Sequence, residues 1–521
     1  MRSLLFLSLV STSLALQLPF KVPFFQSTSP QEDDEPVRGT PRVAIIGAGA
    51  AGSSAAFWIS KAQERFGVDV EVDVYEKTSH IGGRSLTIYP HDNDTFKPVE
   101  LGASIFVKAN RNLWRAVKEF NLTLQDYSDE GNDLGIWDGE QLLLNLPGNR
   151  WWDTLKVLWR YGVMSPRRSN SLQVTHGLVA NMLKQYSTLY TIDSPKWENI
   201  TDLAHSLGWT NLIENTGADF FTSNGVSRQY VFELLEAATR VNYGQNIDSI
   251  HALEAACSIA ADGASQVEGG NWQIFDRFLN HSGANIYKDT KVSRITQKQS
   301  SKSRQWVVHS DKGSTGYKAV IIAAPFHQSN IELPTALASQ IPKQPYVHLH
   351  VTFLTTTSPS LNPEYLALSP NEKAPSMVLT TYEGARQGRK APEFNSISYH
   401  GKVSEDEWGV KIFSEAPIED KWLESMFNNQ VTWVHRAEFD AYPKLPPTSS
   451  FPPVMLDRGL YYVNAFEPFI STMETETLAS RNVVDLLLNE EFSSSICGPR
   501  ISASTKETAP VDANFVFGWD C

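Results

Sequence analysis

The stretch Arg42 to Gly52, RVAIIGAGAAG, constrains the fold more than any other part of the chain. A hydrophobic β-type run breaks into Gly47, Gly49 and Gly52, spaced G-x-G-x-x-G with Ala50 inside the repeat. A helical pattern, SSAAFWISKAQERFG, follows. Gly47 permits the tight turn, Gly49 lets the backbone approach a diphosphate, and Gly52 lets helix and strand pack closely. The diphosphate then sits on a helix N-terminus, where unpaired N–H groups and the helix dipole favour negative charge. The next alternating run, VDVEVDVYEK, ends on Glu76, whose carboxylate can accept from ribose hydroxyls. The expected unit is βαβ, and a dinucleotide cofactor is its expected ligand.

The residues after Glu76 separate FAD from NAD. They read KTSHIGGRSLT, so Gly82, Gly83 and Arg84 follow the acid directly. A second glycine pair lets backbone run beside a cofactor that extends past the first turn, and Arg84 can neutralise diphosphate charge. FAD is the cofactor this spacing predicts.

Beyond residue 110 the pattern changes. Helical stretches (Leu113–Phe120, Trp151–Tyr161, Gly177–Tyr186, Arg228–Arg240) dominate to about residue 262, and short strands return from Ala284. The reading is an α/β protein whose Rossmann domain is assembled from separated segments, with an inserted α+β substrate domain. The expected boundaries are a signal peptide over 1–15, a linker over 16–41, a cofactor domain over 42–110, 240–330 and 455–490, a substrate domain over 111–239 and 331–454, and a tail over 491–521.

The first residues, MRSLLFLSLVSTSLALQLPF, have one basic residue, a short apolar run and small residues near Ala15, as a secretory signal peptide does. Asn93, Asn121, Asn199 and Asn280 open N-x-S/T sequons that suit the same route. Of three cysteines, Cys497 and Cys521 can bridge and pin the tail, leaving Cys257 as a buried thiol in an apolar helix. No later segment is apolar for long enough to cross a bilayer. A net charge of −13 without a basic block makes nucleic acid an unfavourable partner.

The G-x-G-x-x-G, Glu76 and GGR combination resembles the amine-oxidase branch of the glutathione-reductase-like FAD superfamily. That resemblance implies noncovalent FAD and further contacts. Gly102, Ala103 and Ser104 (in VELGAS) would line the isoalloxazine, and the Val292 backbone (in KVSRI) would read the adenine. Glu467 would approach the ribityl–diphosphate, and Thr472-Met473 would start a helix aimed at the flavin. Many such enzymes have Gly-Glu or Gly-Asp where this chain has Asn464-Ala465-Phe466-Glu467, which leaves the contact of Glu467 open.

More blocks are shared with one family. ELGASI, TRVNYGQ, VEGGNWQIFDRFL and GLYYVNAFEPFISTMETETLASRN, in that order, make residues 42 to 490 resemble prenylcysteine oxidase, also called prenylcysteine lyase. The resemblance implies oxidation of a farnesyl or geranylgeranyl thioether of cysteine left by degraded prenylated proteins. Hydride leaves C1 for the flavin, water adds, and a prenyl aldehyde, cysteine and H2O2 result. It also implies a lysosome- or vacuole-like or extracellular setting. Arg240 and Tyr243 in TRVNYGQ, and His251 after it, are the candidates to bind the amino-acid end or position water; equally, Arg240 can pair with a carboxylate while Tyr243-Gly244 ends a helix. Apolar side chains such as Trp151, Trp152, Leu158, Trp159, Phe220 and Phe221 are candidates for an isoprenoid tunnel or for ordinary core. A related secreted flavin oxidase acting on another allylic or amine substrate is the alternative. No metal is expected, on a reading that counts no Ser-His-Asp, Cys-x-x-Cys or His-x-His arrangement in support of hydrolase or zinc chemistry.

Overall fold

The structure is a computed structural model that describes residues 39–126, 133–148, 156–157, 160–161, 171–261, 263–299, 304–498 and 514–521. The expected signal peptide, most of the linker, and Trp151, Trp152, Leu158 and Trp159 lie outside them.

The glycine-punctuated unit folds as its spacing demands. Strand β1 (Arg42–Ile46) runs into helix α1 (Ala50–Phe66), which Gly67 ends in the left-handed conformation, and β2 (Glu71–Tyr75) returns parallel to β1. The strands carry Val, Ile and Ala because helices cover the sheet and little of it meets water. On the other side of β1 lies Ala319–Ile322, also parallel. The complete six-stranded order is 455–457, 460–462, 319–322, β1, β2, 285–287. A separate antiparallel meander, Val292–Gln299, Arg304–Ser310 and Gly313–Tyr317, stands beside it.

Two helices of the middle segment matter later: α2 (Glu236–Tyr243), entered through a π-helical turn over Val231–Leu235, and α3 (Ala252–Ile259). A seven-stranded sheet follows, led by the long strands β3 (Tyr346–Thr356) and β4 (Val431–Pro443); β4 is its edge. The inner face of this pair buries Leu349, Val351 and Phe353 with Leu101. Asp133–Trp137 and Leu142–Pro147 close the opposite edge, so this sheet draws on both chain segments expected to build the substrate domain. Helix Arg111–Glu119 goes the other way. Its Asn112 and Leu113 N–H groups donate to Glu474 and Asn112 Nδ2 donates to Thr477, which ties it to the C-terminal helix.

The C-terminal helix α4 (Met473–Phe492) crosses α1 closely: Ser480 Oγ donates to the Ala51 carbonyl at 2.6 Å, and Trp58 Nε1 donates to that of Thr477. Small residues in α1 (Ala51, Gly52, Ala55) permit that approach. Cys497 and Cys521 form a disulfide, and nearby Trp519 packs its ring 4.8 Å from that of Phe57. No described helix is long and apolar enough to cross a membrane.

Candidate active site

A cavity of about 970 Å³ opens where the carboxyl ends of the Rossmann strands face the seven-stranded sheet. Its volume is at the upper end of the roughly 300–1,000 Å³ found for single-ligand pockets. The crevice outside strand carboxyl ends is where doubly wound sheets bind ligands.

Three glycines that look alike in the sequence do different work. A Cβ on Gly52 would stand 1.8 Å from the Gly47 carbonyl oxygen, and one on Gly47 would meet the Ala323 carbonyl at 2.5 Å. Those two are glycine because the protein packs against them. Gly49 has extended backbone (φ −79°, ψ −166°) open to any residue, and a Cβ there would meet nothing closer than Gly83 Cα at 3.6 Å. Neither conformation nor packing requires glycine at Gly49, so the space it leaves suits a ligand. The N-terminus of α1 has no side-chain cap and no acid in its first turn, which leaves its N–H groups to an anion. Gly82 N–H donates to the Ala48 carbonyl, laying the second glycine loop over the first.

Beside the first glycine turn, Glu76 Oε2 accepts from Ala48 N at 3.0 Å and Oε1 from Thr78 N at 2.9 Å. A carboxylate so placed retains lone pairs for ribose hydroxyls. Val292 borders the cavity from the start of the meander. Midway, Arg84 pairs with Glu467 and donates to the Ala441 carbonyl at 2.7 Å; Tyr346 donates to Glu467 Oε2 at 2.6 Å. Glu476 and Asn464 complete this wall, and Glu476 Oε1 and Asn464 Oδ1 are buried acceptors without a partner among the described residues. Buried polar atoms are rarely left so, and a polyhydroxylated chain such as ribityl would donate to them. Burial and the neighbouring Glu467 charge push the Glu476 carboxyl well up. The residues present fit FAD.

Gly102, Ala103 and Ser104 line the cavity beside Met473, and Thr472 caps α4 by accepting from Thr475 N. The sequence reading missed Lys411. It sits 6% exposed in this lobe, its Nζ donating to the Glu100 carbonyl at 3.0 Å and to Ser104 Oγ at 3.1 Å. Its signal was available: a lone lysine within the apolar run Gly-Val-Lys-Ile-Phe of one strand. Burial lifts the adjacent Glu100 carboxyl to about 7.

The TRVNYGQ block splits. Gly244, left-handed at φ 61°, ends α2 and donates to the Arg240 carbonyl, so the Tyr-Gly pair is a helix stop. Tyr243 still borders the cavity, near Glu254 of α3, whose carboxyl burial raises to about 8. Arg240 does not line the cavity. It is 3% exposed and donates to Thr380 Oγ1 (2.9 Å), Asn246 Oδ1 (2.6 Å) and Asn395 Oδ1 (2.9 Å). One turn before it, Glu236 accepts from Arg386 at 2.8 and 2.6 Å. Together they fasten α2 to the seven-stranded sheet. His251 is likewise away from the cavity lining. Its Nδ1 caps α3 by accepting from Glu254 N and its Nε2 faces the Pro468 carbonyl, while burial lowers it to about 4. Cys257, expected to be buried, is half-buried and lines the cavity, its thiol pushed well up by burial.

Phe106, Leu113, Met182, Leu183 and Tyr186 give the end of the cavity near Tyr243 an apolar wall. Phe220 and Phe221 are not part of it; Phe221 is fully buried core.

A Rossmann glycine cradle, a second glycine loop with an arginine, and a capped C-terminal helix around one long cavity define a flavin-dependent oxidoreductase of the amine-oxidase fold. The sequence model of the NAD(P)-binding Rossmann-like domain matches residues 45–120. Among solved structures, cyclohexylamine oxidase from Brevibacterium oxydans is similar in fold, with a TM-score of 0.55 and 16% identity over 87% of this chain and 99% of that one. A putrescine oxidase variant gives 0.57 and 14% over 86% and 100%. The model of the prenylcysteine lyase family matches residues 147–496, and the chain belongs to that family. It is 31% identical to farnesylcysteine lyase of Arabidopsis thaliana, over 92% of this chain and 94% of the relative. To human prenylcysteine oxidase 1 it is 27% identical, over 85% and 87%.

Proposed function

We propose that this protein binds FAD noncovalently and cleaves S-prenyl-L-cysteine oxidatively, consuming O2 and water and releasing a prenyl aldehyde, cysteine and H2O2. The observation that carries the reading is the continuity of one cavity from the glycine cradle to the apolar wall of Phe106, Leu113, Met182 and Tyr186. Family membership over most of the chain supports it, as do the names of the relatives.

When bound, FAD supplies the two-electron acceptor for the allylic C1–H bond next to sulfur and passes the electrons to O2. The protein's share is positioning. Gly47, Gly49, Ala50 and Gly83 hold the diphosphate, Arg84 offsets its charge, and Glu76 takes the ribose. Gly102, Ala103, Ser104, Thr472 and Met473 hold the flavin end. The apolar wall takes the isoprenoid and keeps bulk water out. Tyr243 and Lys411, the latter held by Ser104, are the polar groups that orient the amino-acid end or the attacking water.

A secretory, acidic setting fits the same molecule. The disulfide suits an oxidising compartment. All four sequon asparagines are exposed, so each is open to glycosylation. Glu100, Glu254 and Glu474, raised by burial to about 7, 8 and 7, are neutral in acid and costly to bury when charged.

The deciding experiment mixes the flavin-loaded protein anaerobically with farnesylcysteine. The flavin should bleach, and air should then yield farnesal and H2O2. An unbleached flavin with farnesylcysteine, or bleaching by a simple amine instead, overturns the substrate assignment.

A further inference from the structure

The sequence reading expects no metal, yet β3 carries His348-Leu349-His350, and alternation puts both imidazoles on its outer face. The neighbouring edge strand β4 places Glu438 opposite His350 and Asp440 opposite His348. We infer that His348, His350 and Glu438 form a surface site for a divalent transition-metal cation of the Zn²⁺ type.

The distances carry the argument. One oxygen, Glu438 Oε2, lies 3.7 Å from His348 Nε2 and 3.5 Å from His350 Nδ1. Two ligand atoms each ~2.1 Å from a tetrahedral ion stand ~3.4 Å apart, so both spacings are close to a coordination edge and long for a hydrogen bond. The three ligating atoms lie within 4.8 Å of one another. Glu438 has no Lys or Arg within ion-pair distance among the described residues; the nitrogens that face its carboxylate are those of these imidazoles. The nearest arginine on that strand, Arg436, is taken by Asp420 and the Ile418 carbonyl.

Asp440 completes the set from behind. Its Oδ1 is 3.2 Å from His348 Nδ1, which fixes the ring with Nε2 turned towards Glu438. A carboxylate that orients a histidine through its far nitrogen is the usual outer shell of a metal-bound imidazole. Three protein ligands on an open strand face leave the fourth position to water. Phe439, Asp440 and Ala441 of β4 border the cavity, so the ion would clip the edge strand that forms part of its wall.

The test uses flavin-loaded protein made without a polyhistidine tag and stripped with EDTA. Calorimetric titration with ZnCl2 should show one ion per chain, and Cu²⁺ in its place should give an EPR spectrum with coupling to two imidazole nitrogens. His348→Gln/His350→Gln should lower Zn²⁺ affinity at least tenfold, and Asp440→Asn by about 10- to 100-fold. His205→Gln, an exposed histidine elsewhere, should leave it unchanged. If the double variant loses its flavin, Glu438→Gln carries the same tenfold expectation. Absence of a one-to-one site, or an affinity equal in parent and ligand variants, overturns the assignment.

Discussion

Arg84 forms an ion pair with Glu467, which is 1% exposed, and so joins the loop after β2 to the segment that leads into α4. Glu467→Gln removes the charge that holds Arg84, and a charge-assisted bond of that kind is worth about 1.5–3 kcal/mol. FAD affinity should fall roughly 10- to 100-fold, read from retained flavin absorbance after dialysis. Undiminished retention would mean that the pair serves the fold alone.

Gly49 and Gly52 should part company on mutation. Gly49→Leu has room within the protein, so the chain should fold and leave purification colourless. Gly52→Ala drives a Cβ to 1.8 Å from the Gly47 carbonyl and should lower the melting temperature or prevent folding. Circular dichroism separates folding from flavin content in both variants.

Arg240 is read as a positioning residue. Arg240→Met leaves Asn246, Asn395 and Thr380 without their donor and should cost roughly 2–4 kcal/mol in urea unfolding. Turnover per bound flavin should stay within about twofold, since the guanidinium does not line the cavity. A large loss of kcat at unchanged stability would return Arg240 to the chemistry.

Tyr243→Phe and Lys411→Met should do the reverse. Each removes a polar group from the cavity, so KM or kcat for prenylcysteine should change by about tenfold or more, while Tyr243→Phe moves the unfolding midpoint little. Flavin reduction in stopped flow distinguishes an effect on binding from one on chemistry.

The pH dependence of stability follows from the buried carboxyls. Glu100, Glu254 and Glu474 keep their protons to about 7, 8 and 7 when folded, against an ordinary value of 4.5. Between these limits the folded chain binds more protons than the unfolded one, so stability is highest below the ordinary value and is lost as pH rises through 7 to 8. His251, lowered to about 4, acts oppositely, stabilising above 6.5 and ceasing to as pH falls through 4. With these three and Glu476, which burial also pushes well up, against one, urea midpoints should rise from pH 8 to pH 5. Glu254→Gln should flatten that slope by up to about 1.4 kcal/mol per pH unit.

The cofactor half of the site was legible because its chemistry is local. Gly47, Gly49, Gly52, Glu76 and Arg84 are fixed by spacing within one βαβ unit. Arg240 and His251 were not, because their partners Thr380, Asn395 and Pro468 come from remote segments that no spacing connects. Lys411 and Glu254 show what a reader can look for, a single charge within an otherwise apolar strand or helix. The pairing of β3 with β4, and with it the proximity of His350 to Glu438, is a matter of register, which hydrophobic alternation alone leaves open.

The order of the Rossmann sheet sets a timetable for synthesis. β1 emerges first, yet its neighbour Ala319–Ile322 and the strand beyond, Leu460–Tyr462, come hundreds of residues afterwards. At roughly 5–20 residues per second, β1 waits on the order of tens of seconds with one edge unpaired. Its hydrophobic run is an aggregation hazard for that interval, which favours chaperone protection of the nascent chain. The helix that packs against α1, α4, is made later still.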